Sequence, residues 1–136
     1  IDPTLVAGLI RQESSFNPRA TSPVGARGLM QIMPDVGRSL ARSRKVAGYT
    51  DESLYNPALN IRFGTIHLAN LLRQGRPIVH VLAAYNAGES RVARWEKRAG
   101  ASDPEMFTER ISFVETRDYV KSVLRNQAFY RELYDW

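Results

Sequence analysis

The sequence predicts an all-α fold: one bundle of short helices spanning residues 1–136. Three observations predict it. Apolar residues recur at spacings of three and four through most of the chain, the pattern of helices with one buried face. No segment alternates apolar and polar residues as a half-buried strand does. The 136 residues suffice for one domain with one core and contain no internal repeat, low-complexity tract or linker. Typical helix and loop lengths then give roughly six to eight helices.

The first helix runs from Ile1 to about Ser15. Asp2 is a good N-cap, Pro3 suits the first helical position, and Leu5, Val6, Leu9 and Ile10 form its apolar face. It ends near Asn17-Pro18, because a residue before proline resists helix. Thr21 to Gly28 is a loop with one proline and two glycines, and Leu29 to Met33 reads as a short helical turn. A second helix follows Pro34 and runs to about Arg44, and Gly48 to Tyr55 is a loop. Asn56-Pro57 caps the next helix, whose stripe is Ile61, Thr65, Leu68 and Leu72, up to Gly75. Pro77 opens another, with Ile78, Val81, Leu82 and Tyr85 on one side, ending at Asn86-Ala87-Gly88 where glycine suits a left-handed cap. Val92 and Trp95 mark a short helix that stops by Gly100, and Ala101 to Ser112 is irregular or partly helical. The last helix runs from about Glu115 to Tyr134, with Tyr119, Val123 and Tyr130 on one face and Val120 and Leu124 beside it.

Composition narrows the function classes. There is no cysteine, which excludes a disulfide scaffold, cysteine-ligated zinc and a cysteine nucleophile. The two histidines, His67 and His80, fall in separate helical patterns, so we expect no metal site and no cofactor. No apolar run approaches the length of a membrane span. The net charge of +5 and pI of about 9.9 favour polyanionic partners, but no nucleic-acid motif accompanies the charge and the aromatics do not interleave with it. The chain has no initiating Met and its helical pattern begins at once, so we expect a domain cut from a longer protein with flanking domains.

Four segments carry candidate chemistry. Glu13 follows Val6 by seven residues, Leu9 by four and Ile10 by three, which puts a carboxyl on the apolar face of the first helix. Apolar surroundings disfavour its charged form, so its pKa should rise and it becomes a candidate general acid. The ordinary reading is a helix-end Glu turned to water or paired with an Arg. The glycine loop into Gly28-Leu29-Met30-Gln31 permits close backbone approach to a ligand, and Gln31 offers both a donor and an acceptor. Tyr85-Asn86 places a phenol and an amide at a helix end, groups that bind sugars, or else a core Tyr and a capping Asn. Glu115 to Tyr119 begins the last helix, where an acid is also stabilised simply by the helix N-terminus.

Together the four segments resemble the soluble lytic transglycosylases, which cleave bacterial peptidoglycan. Glu13-Ser14 matches the family's Glu-Ser motif, and Ser22 to Pro34 matches its Gly-Leu-Met-Gln motif almost without departure. Ala84-Tyr85-Asn86-Ala87-Gly88 matches the Tyr-Asn-Ala-Gly motif, and Glu115 to Val120 matches the Glu-Thr-Arg motif. The order and spacing are the family's, over nearly the whole chain. Glu89-Ser90 stand where the family usually has Pro-Gly, and Ser112 stands where it usually has proline.

The resemblance implies a lysozyme-like all-α fold around a groove for the N-acetylmuramic acid and N-acetylglucosamine strand. It implies that Glu13 is the catalytic acid and base. Ser22, Met30, Gln31, Tyr85, Asn86 and Ala87 would line the groove, with Glu115 and Tyr119 near the same site. The product would carry a 1,6-anhydromuramic end, and the location would be the bacterial periplasm or cell envelope, where the polymer lies. Two rivals stand beside this reading. A hydrolytic muramidase of the goose-type lysozyme kind needs a second carboxylate, for which Asp35, Asp51 and Glu89 are candidates. A non-catalytic wall-binding module would have no use for Glu13.

Overall fold

The computed structural model describes residues 1–134. Seven α-helices and one 3-10 helix stand among them: α1 (Pro3–Ser14), α2 (Pro34–Ser43), the 3-10 helix (Asp51–Tyr55), α3 (Pro57–Leu72), α4 (Ile78–Ala87), α5 (Glu89–Trp95), α6 (Pro104–Glu109) and α7 (Val114–Tyr134). The all-α expectation holds. No extended strand forms among the described residues, and only the isolated bridges Thr21↔Arg27 and Arg27↔Ile32 interrupt the helical pattern.

α1 and α7 pack along each other more extensively than any other pair. Gly8 permits this, since a Cβ there would meet the Gln127 backbone nitrogen at 2.9 Å and the Val123 carbonyl at 3.0 Å. Asn126, buried on α7, donates to the Gly8 carbonyl at 3.1 Å and seals the contact. At the start of α1, Asp2 accepts from the Thr4 N–H at 2.9 Å and pairs with Arg131 at 2.6 Å. The Thr4 hydroxyl, which donates to the same carboxyl at 2.5 Å, does most to hold it well below the usual range, with Arg131 and the Thr4 N–H adding to this, and the Arg131 pair ties the N-terminus to the far end of α7.

α4 is the central helix and touches α3, α5, α6 and α7. Its residues Val79 to Ala84 are all buried, as befits a helix that is apolar all round. His80 lies among them, stacked on Phe107 of α6 at 3.7 Å and bonded to Glu96 at 2.6 Å. α6 accounts for the segment expected to be irregular or partly helical. It is capped by Asp103, which accepts from the N–H groups of Glu105 and Met106.

Four details depart from expectation. Leu29 to Met33 is not a helical turn. Gly28 has φ 80° and Gln31 φ 50°, and left-handed residues at both places turn the chain into a loop whose Arg27 and Ile32 exchange backbone bonds at 3.0 Å. Within Gly48 to Tyr55 the 3-10 helix forms, because Ser53 Oγ accepts from the Thr50 N–H at 3.0 Å and Leu54 plugs the core. The buried face of α3 is Asn60, Phe63, Gly64, Leu68 and Leu71, not the stripe through Ile61, Thr65 and Leu72. Met30 sits against Gly64 and the 20s loop hangs on Asn60, so the helix turns its small and amide residues inward. Tyr130 likewise stays only half-buried, while Tyr119 and Val123 are in the core.

Candidate active site

Four chain segments meet at one end of the bundle. The C-terminus of α1 brings Glu13, the loop between α1 and α2 brings Ser22 and Gln31, the C-terminus of α4 brings Tyr85, Asn86 and Ala87, and the start of α7 brings Glu115 and Thr116. All line one cleft of about 480 Å³. A second hollow of about 440 Å³ continues it, sharing Val24, Gln31, Met33, Tyr85, Asn86 and Ala87 and adding Asp35, His67 and Glu89. The two make an extended groove.

The loop is fastened at several points. Ser14 Oγ, next to Glu13, donates to the Leu29 carbonyl at 2.8 Å, joining the end of α1 to the loop. Asn60 is fully buried on α3. Its Nδ2 donates to the carbonyls of Leu54 at 2.7 Å and Arg27 at 2.9 Å, and its Oδ1 accepts from the Met30 N–H at 2.7 Å. Gly28 is required beside it, because a Cβ at that place would strike the Asn60 amide and the Leu54 carbonyl. Gln31 spends its side-chain N–H groups on the carbonyls of Ala20 and Gly28, at 3.1 and 3.0 Å. Ser22 Oγ accepts from the Ala26 N–H at 3.0 Å within the same loop.

The catalytic-type groups are held from the other side. Tyr119 is buried at 4% exposure and donates its hydroxyl to Glu13 Oε2 at 3.1 Å. Tyr85 donates to the Met30 carbonyl at 2.7 Å, bridging α4 to the loop. Asn86 Oδ1 accepts from Thr116 Oγ1 at 2.7 Å, so the C-terminus of α4 is locked to the first turn of α7.

Electrostatics follow from this packing. Burial pushes the Glu13 carboxyl up from 4.5 to about 8, the Tyr119 hydrogen bond opposes the rise, and the Glu115 charge adds to it. The expected rise is present, and its main cause is the apolar face identified in the sequence. Burial and the nearby Glu13 charge push both Tyr85 and Tyr119 well above the ordinary phenol range, so both stay neutral donors. His67, tilted against Tyr85 at 5.2 Å, is pushed down by burial and is therefore neutral.

Of the nine residues singled out in the sequence, seven line the cleft: Glu13, Ser22, Gln31, Tyr85, Asn86, Ala87 and Glu115. Met30 does not reach it as a side chain. It is 0% exposed, packed on Gly64, and contributes its backbone N–H and carbonyl to the scaffold instead. Tyr119 does not line the cleft either and meets it through its bond to Glu13. Asn60, Ser14, Thr116, Arg91 and Phe113 were not singled out as site residues. Asn60 and Ser14 bond distant backbone groups and Thr116 a distant side chain, which no sequence period reports; Arg91 with its neighbour Phe113 is a surface pair distant in sequence. Of the rival carboxylates, Asp51 lines neither hollow and is clasped by Arg38 at 2.7 Å, while Asp35 and Glu89 lie in the second hollow. No three His, Asp or Glu side chains among the described residues are grouped to hold a metal ion.

Known proteins share this sequence and fold. Residues 1–108 match the family model described as the transglycosylase SLT domain, and residues 110–135 match that of the soluble lytic transglycosylase helical domain. The soluble lytic murein transglycosylase of Escherichia coli K12 is 44% identical over 126 residues, covering 90% of this chain and 20% of the relative. A transglycosylase of Enterobacteria phage PRD1 is 42% identical over 95 residues, 70% of this chain and 32% of that protein. The crystal structure of the Escherichia coli 70 kDa soluble lytic transglycosylase superposes with a TM-score of 0.90 at 42% identity, covering 98% of this chain and 22% of that one. Its complex with bulgecin A gives 0.91 at 40% identity with the same coverage. The chain thus spans about a fifth of the length of the curated soluble murein transglycosylases it matches. On the family match across most of its length, the chain belongs to the transglycosylase SLT domain family.

Proposed function

We propose that this domain is a peptidoglycan lytic transglycosylase that cleaves the β-1,4 bond between N-acetylmuramic acid and N-acetylglucosamine without consuming water. The observation that carries the reading is Glu13. It is a cleft carboxyl kept protonated near neutral pH by burial and hydrogen-bonded by a neutral phenol. As a carboxylic acid it gives its proton to the glycosidic oxygen as the C1–O bond breaks. The positive charge that develops at C1 is met by the substrate's own N-acetyl group and by the cleft's dipoles. Glu13, now a carboxylate, takes the proton of the C6 hydroxyl as that oxygen bonds to C1, which closes the 1,6-anhydro ring and returns the acid. The nucleophile is intramolecular, so one essential carboxyl suffices where ordinary glycosidases use two.

Ser22, Gln31, Tyr85, Asn86, Ala87 and Glu115 form the walls that orient the sugars, and the joined hollows give room for successive rings. Tyr119 positions Glu13 from behind. The names of the matched relatives, murein transglycosylases of bacteria, support the same substrate and a site of action in the periplasm or envelope. Their greater length supports flanking domains in the parent protein.

One observation favours a second reading. Glu115 is a further carboxylate in the wall of the same cleft, and its charge is felt by Glu13. A hydrolytic muramidase would use such a group to position water. Mass spectrometry of products from purified peptidoglycan separates the two. Anhydro-muropeptides that vanish in Glu13→Gln establish the transglycosylase; reducing-end products, heavier by one water, establish the hydrolase.

A further inference from the structure

The groove is poor in cations for one proposed to hold an acidic polymer. Asp35 and Glu89 line the second hollow, and Glu13 and Glu115 line the first. Among the described lining residues of both, Arg91 is the single Lys or Arg. It is also uncommitted. It pairs with no carboxylate among the described residues, unlike Arg27, Arg38, Arg76 and Arg131. Its one hydrogen bond among the described residues is a long 3.4 Å contact to the Ala87 carbonyl.

Arg91 is nonetheless held in place. Its guanidinium lies 4.7 Å over the ring of Phe113, and Phe113 packs edge-on against Trp95 at 5.6 Å. Trp95 is buried at 6% exposure, so the stack rests on the core. A guanidinium placed over an aromatic ring spends no N–H donor on it, so its planar fork is left for a carboxylate, which it can take bidentately. Phe113 itself lines the cleft and leaves 42% of its surface open.

We propose that Arg91 is a carboxylate-binding subsite, recognising an acid carried on the O3 lactyl arm of the muramic acid ring. This rests on the reading of the domain as a peptidoglycan enzyme. Two sources present that chemistry: the lactyl acid itself in a peptide-free strand, and the stem-peptide carboxylates in an intact one. Glucosamine rings carry no such group. Arg91 therefore distinguishes the wall polymer from an uncharged chitin strand, and it offsets the repulsion that the cleft's acids exert on an anionic ligand.

The test is binding in the Glu13→Gln background, which removes turnover, with and without Arg91→Gln. The ligands are peptide-bearing glycan strands, strands stripped by an amidase, and chitohexaose. Loss of a charge-assisted pair predicts roughly 10- to 100-fold weaker binding of at least one anionic strand, an effect that shrinks as salt rises. Chitohexaose affinity is expected to stay within about twofold. Loss on the stripped strand assigns the lactyl acid, and loss on the peptide-bearing strand alone assigns the stem peptide. Arg91→Lys should recover part of the loss, because it keeps the charge but not the fork. Equal weakening of all three ligands, or of none, overturns the proposal. Its failure is distinct from failure of the transglycosylase reading, which shows as absent anhydro products from the unmodified protein whatever the Arg91 variants bind.

Discussion

Glu13→Gln should make the protein more stable, and by an amount that depends on pH. Glu13 titrates at about 8 in the fold against 4.5 for a free carboxyl. Between those values the folded state binds the proton that the unfolded chain releases, so the Glu13 contribution to stability falls as pH rises through this window. At 1.36 kcal/mol per pH unit the loss is about 3 kcal/mol at pH 7 and about 5 kcal/mol above pH 8, as upper values. Against a total of roughly 5–15 kcal/mol for a domain, this is a large share. Gln has the same shape, still accepts from Tyr119, and does not ionise. The difference between the two proteins therefore isolates Glu13, since every other titration is common to both. Urea unfolding at pH 5 should find them within about 1 kcal/mol, and at pH 8 should find Glu13→Gln ahead by several. A gap that is the same at both pH values, or that narrows as pH rises, would refute the account of Glu13 as a carboxyl held neutral by burial.

Two further outcomes test the parts around it. Tyr119→Phe removes the one side-chain hydrogen bond that opposes the rise at Glu13, so the fall in kcat/KM on the alkaline side should move up by about one pH unit from its place near 8; an unchanged or lowered limb would show that the phenol does not act on the carboxyl. Asn60→Ala strips the three bonds of 2.7, 2.9 and 2.7 Å that pin the loop and opens a small void, which should cost about 3 kcal/mol in urea unfolding; less than about 1 kcal/mol would mean the loop is anchored elsewhere.

The sequence was readable where periodicity speaks. Helix starts at Pro3, Pro34 and Pro57 follow from proline's fit to the first turn, two of them behind a capping Asp or Asn. Glu13 could be found because its offset from Val6, Leu9 and Ile10 is a geometric statement about one helix. What could not be read is what holds that helix end to its surroundings. Met30 looks like a ligand-facing residue in a glycine loop, yet its side chain is core because Gly64, 34 positions on, leaves a notch for it. Asn60 lies outside the stripe through Ile61, Thr65, Leu68 and Leu72, and only the loop folded over it makes it the buried anchor. Left-handed Gln31 breaks the apparent helical turn, since a non-glycine residue there is set by the surrounding bonds and not by its own preference.

The same burial that makes Glu13 an acid also equips it for the second half of the proposed reaction. A carboxyl at about 8 gives up its proton less readily than an ordinary one, but at neutral pH it is the protonated form that waits for substrate. Once the proton has gone to the leaving oxygen, the carboxylate is left in surroundings that disfavour its charge. It is then a stronger base than a solvated Glu by the full difference between 4.5 and about 8. That raised basicity is directed at the one proton whose removal closes the anhydro ring. Tyr119 limits the cost of the charged interval by donating at 3.1 Å, and Glu115 works in the opposite sense by its charge. An enzyme that activates water gains from a second carboxylate because acid and base act on different molecules at opposite faces of the ring. In the proposed reaction both protons pass through one group in sequence. On that proposal a single buried carboxyl, destabilised when charged and held by one phenol, supplies both steps without a second carboxylate.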